Sequence, residues 1–129
     1  MTSRAATACF LAASKLPLFK LAAEHPDLGA AQPHLIDYYE RTKFEYAGAA
    51  GGFIDKYGYP FCRGRIFGNV EYNQGQYNEP MPIFWASGAA FFIKREAWER
   101  AAGLDLAFFA HMEEIDLCWR IKKLGYKFI

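Results

Sequence analysis

The 129-residue chain predicts an α/β fold, and three features of its sequence carry that prediction. Apolar residues recur at helical spacing through Leu18, Leu21 and Ala22, and again through Cys118, Ile121 and Leu124. Short apolar runs bounded by glycine or proline read as strands at Gly29–Gln32, over Ile83–Lys94 and from Tyr126 onward. Between them, residues 44–82 are too rich in glycine and proline for a continuous helix and read as a long loop with short strands. Helices alternating with strands bury their apolar faces by layering on a sheet. A hydrophobic share of 53% with 22% charged residues belongs to a folded chain, and the length suits one domain at most.

Composition also excludes some functions. A net charge of +1 gives no reason to expect a nucleic-acid partner. No run reaches the roughly 20 apolar residues that span a bilayer. Cys9, Cys62 and Cys118 are an odd count without metal-ligand spacing. Cys118 falls on the apolar face of a predicted helix, so a reduced cytosolic thiol is the expectation.

Taken in order, residues 1–16 have Arg4 and an alanine-rich apolar run, a weak likeness to a signal peptide; the competing reading is an amphipathic or frayed segment. From Pro17 a helix is expected up to His25-Pro26-Asp27, then a strand that Pro33 ends, then a short extended piece over His34–Tyr38. His25 and His34 have no partner at ligand spacing and read as surface residues. The long loop carries Phe44, Tyr46, Phe53, Tyr57, Tyr59, Phe61, Phe67, Tyr72 and Tyr77. Aromatic faces suit the apolar faces of sugar rings, with Arg63, Arg65, Asn69, Asn73 and Gln74 available to hydroxyls or phosphates; equally, the rings could plug the loop onto the core. Ile83–Lys94 reads as a buried strand interrupted at Ser87-Gly88. A short helix from Arg95 to Ala101 follows, with Trp98 on its apolar side, and Ala102-Gly103 ends it.

Residues 108–120, Phe-Phe-Ala-His-Met-Glu-Glu-Ile-Asp-Leu-Cys-Trp-Arg, concentrate the chemistry. Glu113, Glu114 and Asp116 crowd the first turn of a helix that stops at Gly125. Unpaired N–H groups and the positive end of the helix dipole favour carboxylates there. A carboxylate aimed into a cleft can act as general base for a hydroxyl nucleophile, although acidic first turns also occur merely as helix-start signals.

The run Trp85-Ala86-Ser87-Gly88-Ala89-Ala90-Phe91-Phe92-Ile93-Lys94-Arg95, then Gly103-Leu104-Asp105, Phe108-Phe109, Glu113-Glu114-Ile115-Asp116-Leu117-Cys118 and Arg120, resembles family 2 glycosyltransferases. Order and spacing agree over roughly residues 20–129, including Gln32-Pro33, and residues 1–16 match poorly. The resemblance implies a partial GT-A-like α/β fold, a mixed sheet with flanking helices, in which 17–129 is the acceptor half of a transferase domain. It implies transfer of a sugar from a nucleotide-sugar to a hydroxyl on a carbohydrate or lipid-linked acceptor, as in polysaccharide biosynthesis for a cell envelope. By position Glu114 matches the family's base, Glu113 and Asp116 would shape the pocket or hold Arg120, and Trp85, Ser87 and Gly88 would border the acceptor and donor sugar. The family usually has Asp where Glu114 stands, and Gly where Ala102 stands.

The family's Asp-x-Asp motif, which binds Mg²⁺ or Mn²⁺ at the donor diphosphate, has no counterpart in this sequence. The donor half is therefore expected to be missing, the chain to be truncated at both ends, and transfer by it alone to be weak or absent. The strands at Ile83–Ile93 and Tyr126–Ile129 are expected to leave edges open to self-association. A complete enzyme is expected in the cytoplasm or peripherally at the inner face of the membrane. Two rivals remain: a glycoside hydrolase, which needs carboxylates on opposite sides of a sugar and has here three on one turn, and a non-catalytic carbohydrate-binding or relic fragment.

Overall fold

The structure is a computed structural model and describes residues 12–108 and 111–129. Residues 1–11 of the signal-like segment 1–16, with Cys9, and the second aromatic of the Phe108-Phe109 pair lie outside the described residues, while residues 12–16 fall in the first helix.

Helix α1 runs from Ala12 to Glu24 and so begins before Pro17, which sits inside it. Pro26, which lacks a backbone N–H, lies just beyond its end. Leu18 is buried, and Leu21 and Ala22 pack with it against Leu28 and Ala31 of the next strand. That strand, β1 (Leu28–Ala31), is buried at every position. It is the middle of a mixed three-stranded sheet: β6 (Phe92–Ile93) pairs with it antiparallel, and β7 (Lys127–Phe128) pairs with it parallel. Small residues allow this close layering. A β-carbon on Gly29 would stand 2.8 Å from both Ile121 Cγ2 and Tyr126 Cβ.

Ile83–Lys94 is not one strand. Ladder pairing is confined to Phe92–Ile93, and Trp85 makes only an isolated bridge with Gly52. The Ser87 hydroxyl accepts the Ala89 N–H at 3.1 Å, so the side chain offers the backbone a local bond in place of a ladder. The Ile83 N–H donates to the Phe128 carbonyl at 3.0 Å. The two strands expected to stand unpaired thus both find β1, and β7 also receives Ile83 on its other side.

The long loop resolves into two small hairpins, β2 (Gly52–Ile54) with β3 (Pro60–Cys62) and β4 (Arg65–Ile66) with β5 (Asn69–Val70). Its aromatics do not mainly plug the core. Phe44 is buried, whereas Tyr57 and Tyr59 are more than 70% exposed and Phe67 is 89% exposed. His25 is exposed as expected, but His34 is half-buried, edge-on to Phe44 at 5.7 Å and to Tyr77 at 6.5 Å. The extended piece over 34–38 is reduced to one bridge, Ile36 with Phe44.

Helix α2 (Arg95–Arg100) and helix α3 (Glu113–Lys123) complete the order, with Gly125 in the left-handed region at φ 92°. The buried stripe of α3 is Ile115, Leu117, Cys118 and Ile121; Leu124 is 38% exposed and drops out of it. These residues join Ala30, Trp85, Ala86, Ala97 and Phe128 in the largest apolar cluster, and Trp98 packs onto its edge.

Candidate functional site

The first turn of α3 follows two strained residues. His111 and Met112 both have φ 69°, a conformation that costs side chains of this size about 1–3 kcal/mol and that clusters at working sites. Met112 occupies the N-cap and supplies no side-chain cap. A glycine would relieve the strain and a serine or aspartate would cap the helix. Neither stands here.

The three acids separate into two kinds. Asp116 is engaged: Arg120 Nε and Nη2 both lie 2.8 Å from its Oδ2. The same guanidinium donates to the carbonyls of Ala101 and, at 2.8 Å, Gly103. Asp116 therefore steadies a clamp between α3 and the end of α2. Glu113 and Glu114 are half-buried, and the Oε2 of each is enclosed without a hydrogen-bond partner among the described residues. An enclosed charged acceptor without a donor is costly, so such an atom calls for an explanation.

Gly88 meets Glu114. The Cβ and Cδ of Glu114 lie 3.9 Å from where a β-carbon would stand on Gly88. Ser87 is buried at 3% exposure; its N–H donates to Gln32 Oε1, and its hydroxyl donates to the Ala47 carbonyl at 3.3 Å. Gln32 in turn donates to the Gly48 carbonyl at 2.6 Å. The turn over Glu114 is thereby pinned to β1 and to the long loop. From below, Cys118 Sγ accepts the Ala86 N–H at 3.5 Å, fastening the same turn to α3. Burial pushes the Cys118 thiol up to about 12, and the nearby charge of Glu114 adds to the rise.

Trp85 is placed differently from its neighbours. It is 5% exposed, its indole lies over Gly52, and its Nε1 donates to the Phe53 carbonyl at 3.0 Å. It supports the turn from the core. The structure thus brings Gly88 to Glu114, encloses one oxygen each of Glu113 and Glu114, turns Asp116 to Arg120, and sets Trp85 in the core. Gln32 is the residue that the sequence reading did not single out as part of the site. Its signal was its place in Gln32-Pro33 at the end of a buried strand.

Among the described residues no three of His, Cys, Asp or Glu converge to hold a metal ion. Glu113, Glu114 and Asp116, though close in sequence, do not form a ligand set.

Compared with known proteins, the chain is similar to N-acetylglucosaminyl-diphospho-decaprenol L-rhamnosyltransferase of Mycobacterium tuberculosis strain CDC 1551 / Oshkosh, and equally to the protein of that name from strain ATCC 25618 / H37Rv. Identity is 36% over 45 residues in each, which is 35% of this chain and 15% of the relative. The likeness is thus to a glycosyltransferase, over a short stretch of both proteins. No family model matches the chain. No solved structure matches it either.

Proposed function

We propose that this chain forms the acceptor side of a family 2-type glycosyltransferase with a GT-A-like fold, and that Glu114 is its general base. The hydroxyl of a sugar acceptor gives its proton to Glu114 as its oxygen attacks the anomeric carbon of a nucleotide-activated donor. A new glycosidic C–O bond forms, the bond to the donor diphosphate breaks, and the nucleoside diphosphate leaves with the electron pair. The acceptor class is a lipid-linked sugar diphosphate, as in the name of the matched rhamnosyltransferases.

The observation that carries this reading is the Glu114 carboxylate, one oxygen enclosed and without a donor, packed under the Ser87-Gly88 turn. A substrate hydroxyl would supply the missing donor. Glu113 shares the enclosed oxygen but not the contact with Gly88, so it shapes the acceptor pocket. The mixed sheet under α2 and α3 is compatible with the fold in this proposal. The family's Mg²⁺ or Mn²⁺ does not fit the acids present, which do not converge, and no step here passes through it.

One observation favours a second reading, a carbohydrate-binding surface without catalysis: the exposure of Tyr57, Tyr59 and Phe67 on the two hairpins. The experiment that separates the two supplies an N-acetylglucosaminyl-diphospho-polyprenol acceptor with a panel of nucleotide-sugars and looks for an extended lipid-linked product. A product that disappears with Glu114→Gln supports transfer. Acceptor binding with no product from any donor, in a protein that also carries a nucleotide site, contradicts it.

A further inference from the structure

A second site lies on the far face of Gln32. Besides receiving the Ser87 N–H, Gln32 lines a cavity of about 370 Å³ together with His34, Arg63 and Tyr77. That volume falls within the range of small-molecule sites. Arg63 is half-buried, and no carboxylate among the described residues pairs with it. Its Nε is enclosed without an acceptor, and its guanidinium lies 4.5 Å from the centre of the Tyr77 ring. A guanidinium stacked on a ring is held in one orientation, with its N–H fork free for an oxyanion. Burial lowers the pKa of Arg63, and burial with the Arg63 charge lowers that of His34; the nearby Glu71 carboxylate is taken by the Tyr77 hydroxyl, which donates to it at 2.8 Å. Glu79, exposed at the rim, is the acidic residue that also lines the cavity.

The remaining wall is largely aliphatic and includes Leu18, Leu21, Met81 and Ile83. A nucleobase would be recognised by stacking on an aromatic face, but the Tyr77 face carries Arg63. An unpaired cation beside an aliphatic wall fits an anion carried on hydrocarbon. We propose that this cavity binds a prenyl diphosphate, its phosphate on Arg63 and its first isoprene units against Leu18, Leu21 and Met81. The proposal rests on the transfer reading only for its link to a lipid-linked acceptor. Gln32 would then connect the lipid diphosphate to the turn that covers Glu114.

The test is calorimetric titration with farnesyl diphosphate below its micelle concentration, with no sugar donor present, so that binding can fail while transfer stands and the reverse. Pyrophosphate, farnesol and uridine diphosphate are the comparison ligands. Farnesyl diphosphate is expected to bind at least about tenfold more tightly than each of the three, and Arg63→Gln to weaken it by about tenfold, the scale of a lost charge-assisted contact. Met81→Asp, at a position 38% exposed, is expected to weaken it similarly, with thermal melting confirming that both variants fold. Should Arg63→Gln fail to fold, the Met81→Asp result decides. Farnesol binding equally well removes the anion site, and uridine diphosphate binding equally well makes it a nucleotide site; either overturns the proposal. So does a folded chain that binds no farnesyl diphosphate.

Discussion

Arg120 holds Asp116 through Nε and Nη2, each 2.8 Å from Oδ2, while reaching across to the carbonyls of Ala101 and Gly103. One acid of the three is therefore structural. Arg120→Ala leaves three acceptors without their donor and is expected to lower unfolding stability by about 2–3 kcal/mol. Asp116→Asn keeps a hydrogen-bonding group at a partly exposed pair and is expected to cost about 1 kcal/mol. Denaturant midpoints at constant slope measure both. An Asp116→Asn variant of unchanged stability that has lost all transfer would contradict this division of roles.

Ala102 stands where the resembling family usually has glycine, and its φ is 61°. The left-handed region costs an alanine about 1–2 kcal/mol, part of which glycine's greater freedom in the unfolded chain offsets. Ala102→Gly is expected to stabilise the fold by about 0.5–1 kcal/mol, read from the shift in the denaturant midpoint. A destabilised variant would mean that the turn gains more from the methyl group than its backbone loses.

The Cys118 thiol, pushed up to about 12 by burial, keeps its proton across the physiological range. Its reaction with a thiol reagent at pH 8 is expected to track unfolding, since the thiolate is the reactive form. The linkage has a definite sign. A raised folded-state pKa contributes stability that is intact below the unfolded thiol's value near 9 and is lost as pH rises toward about 12. Cys118→Ala is expected to flatten stability over that alkaline window. Rapid native-state labelling at Cys118 would contradict the burial.

His34 has the opposite sign. Burial first, and Arg63 second, lower its pKa, so the fold disfavours its protonated form. That contributes stability present above the ordinary histidine value near 6.5 and lost as pH falls below it. His34→Gln is expected to weaken the acid dependence of the melting temperature just below that pH. An unaltered acid limb would remove His34 from the account.

Sequence patterns located α2, α3, β1 and the stop at Gly125 because each has a local cause: helical spacing, a short apolar run, or a residue suited to a left-handed turn. Ile83–Lys94 misled for an equally physical reason. Ile83, Trp85 and Ala86 are buried in the core and Phe91, Phe92 and Ile93 only half-buried, which requires packing but not a ladder, and the Ser87 hydroxyl takes the Ala89 N–H midway. The same limit applies at the site. That three acids share one turn was legible; which one Arg120 takes depends on the end of α2, and which one meets Gly88 depends on a turn 26 residues earlier. His34 read as a surface histidine because nothing local announces that Phe44 and Tyr77 will close over it.

The most direct test of Glu114 as base is sugar transfer to the lipid-linked acceptor by a complete transferase carrying this segment, with Glu114→Gln beside Glu113→Gln, each shown to be folded. Loss of a general base predicts a fall of about a hundredfold or more in kcat for Glu114→Gln and a fall of less than about tenfold for Glu113→Gln. Equal losses in the two variants would contradict the assignment.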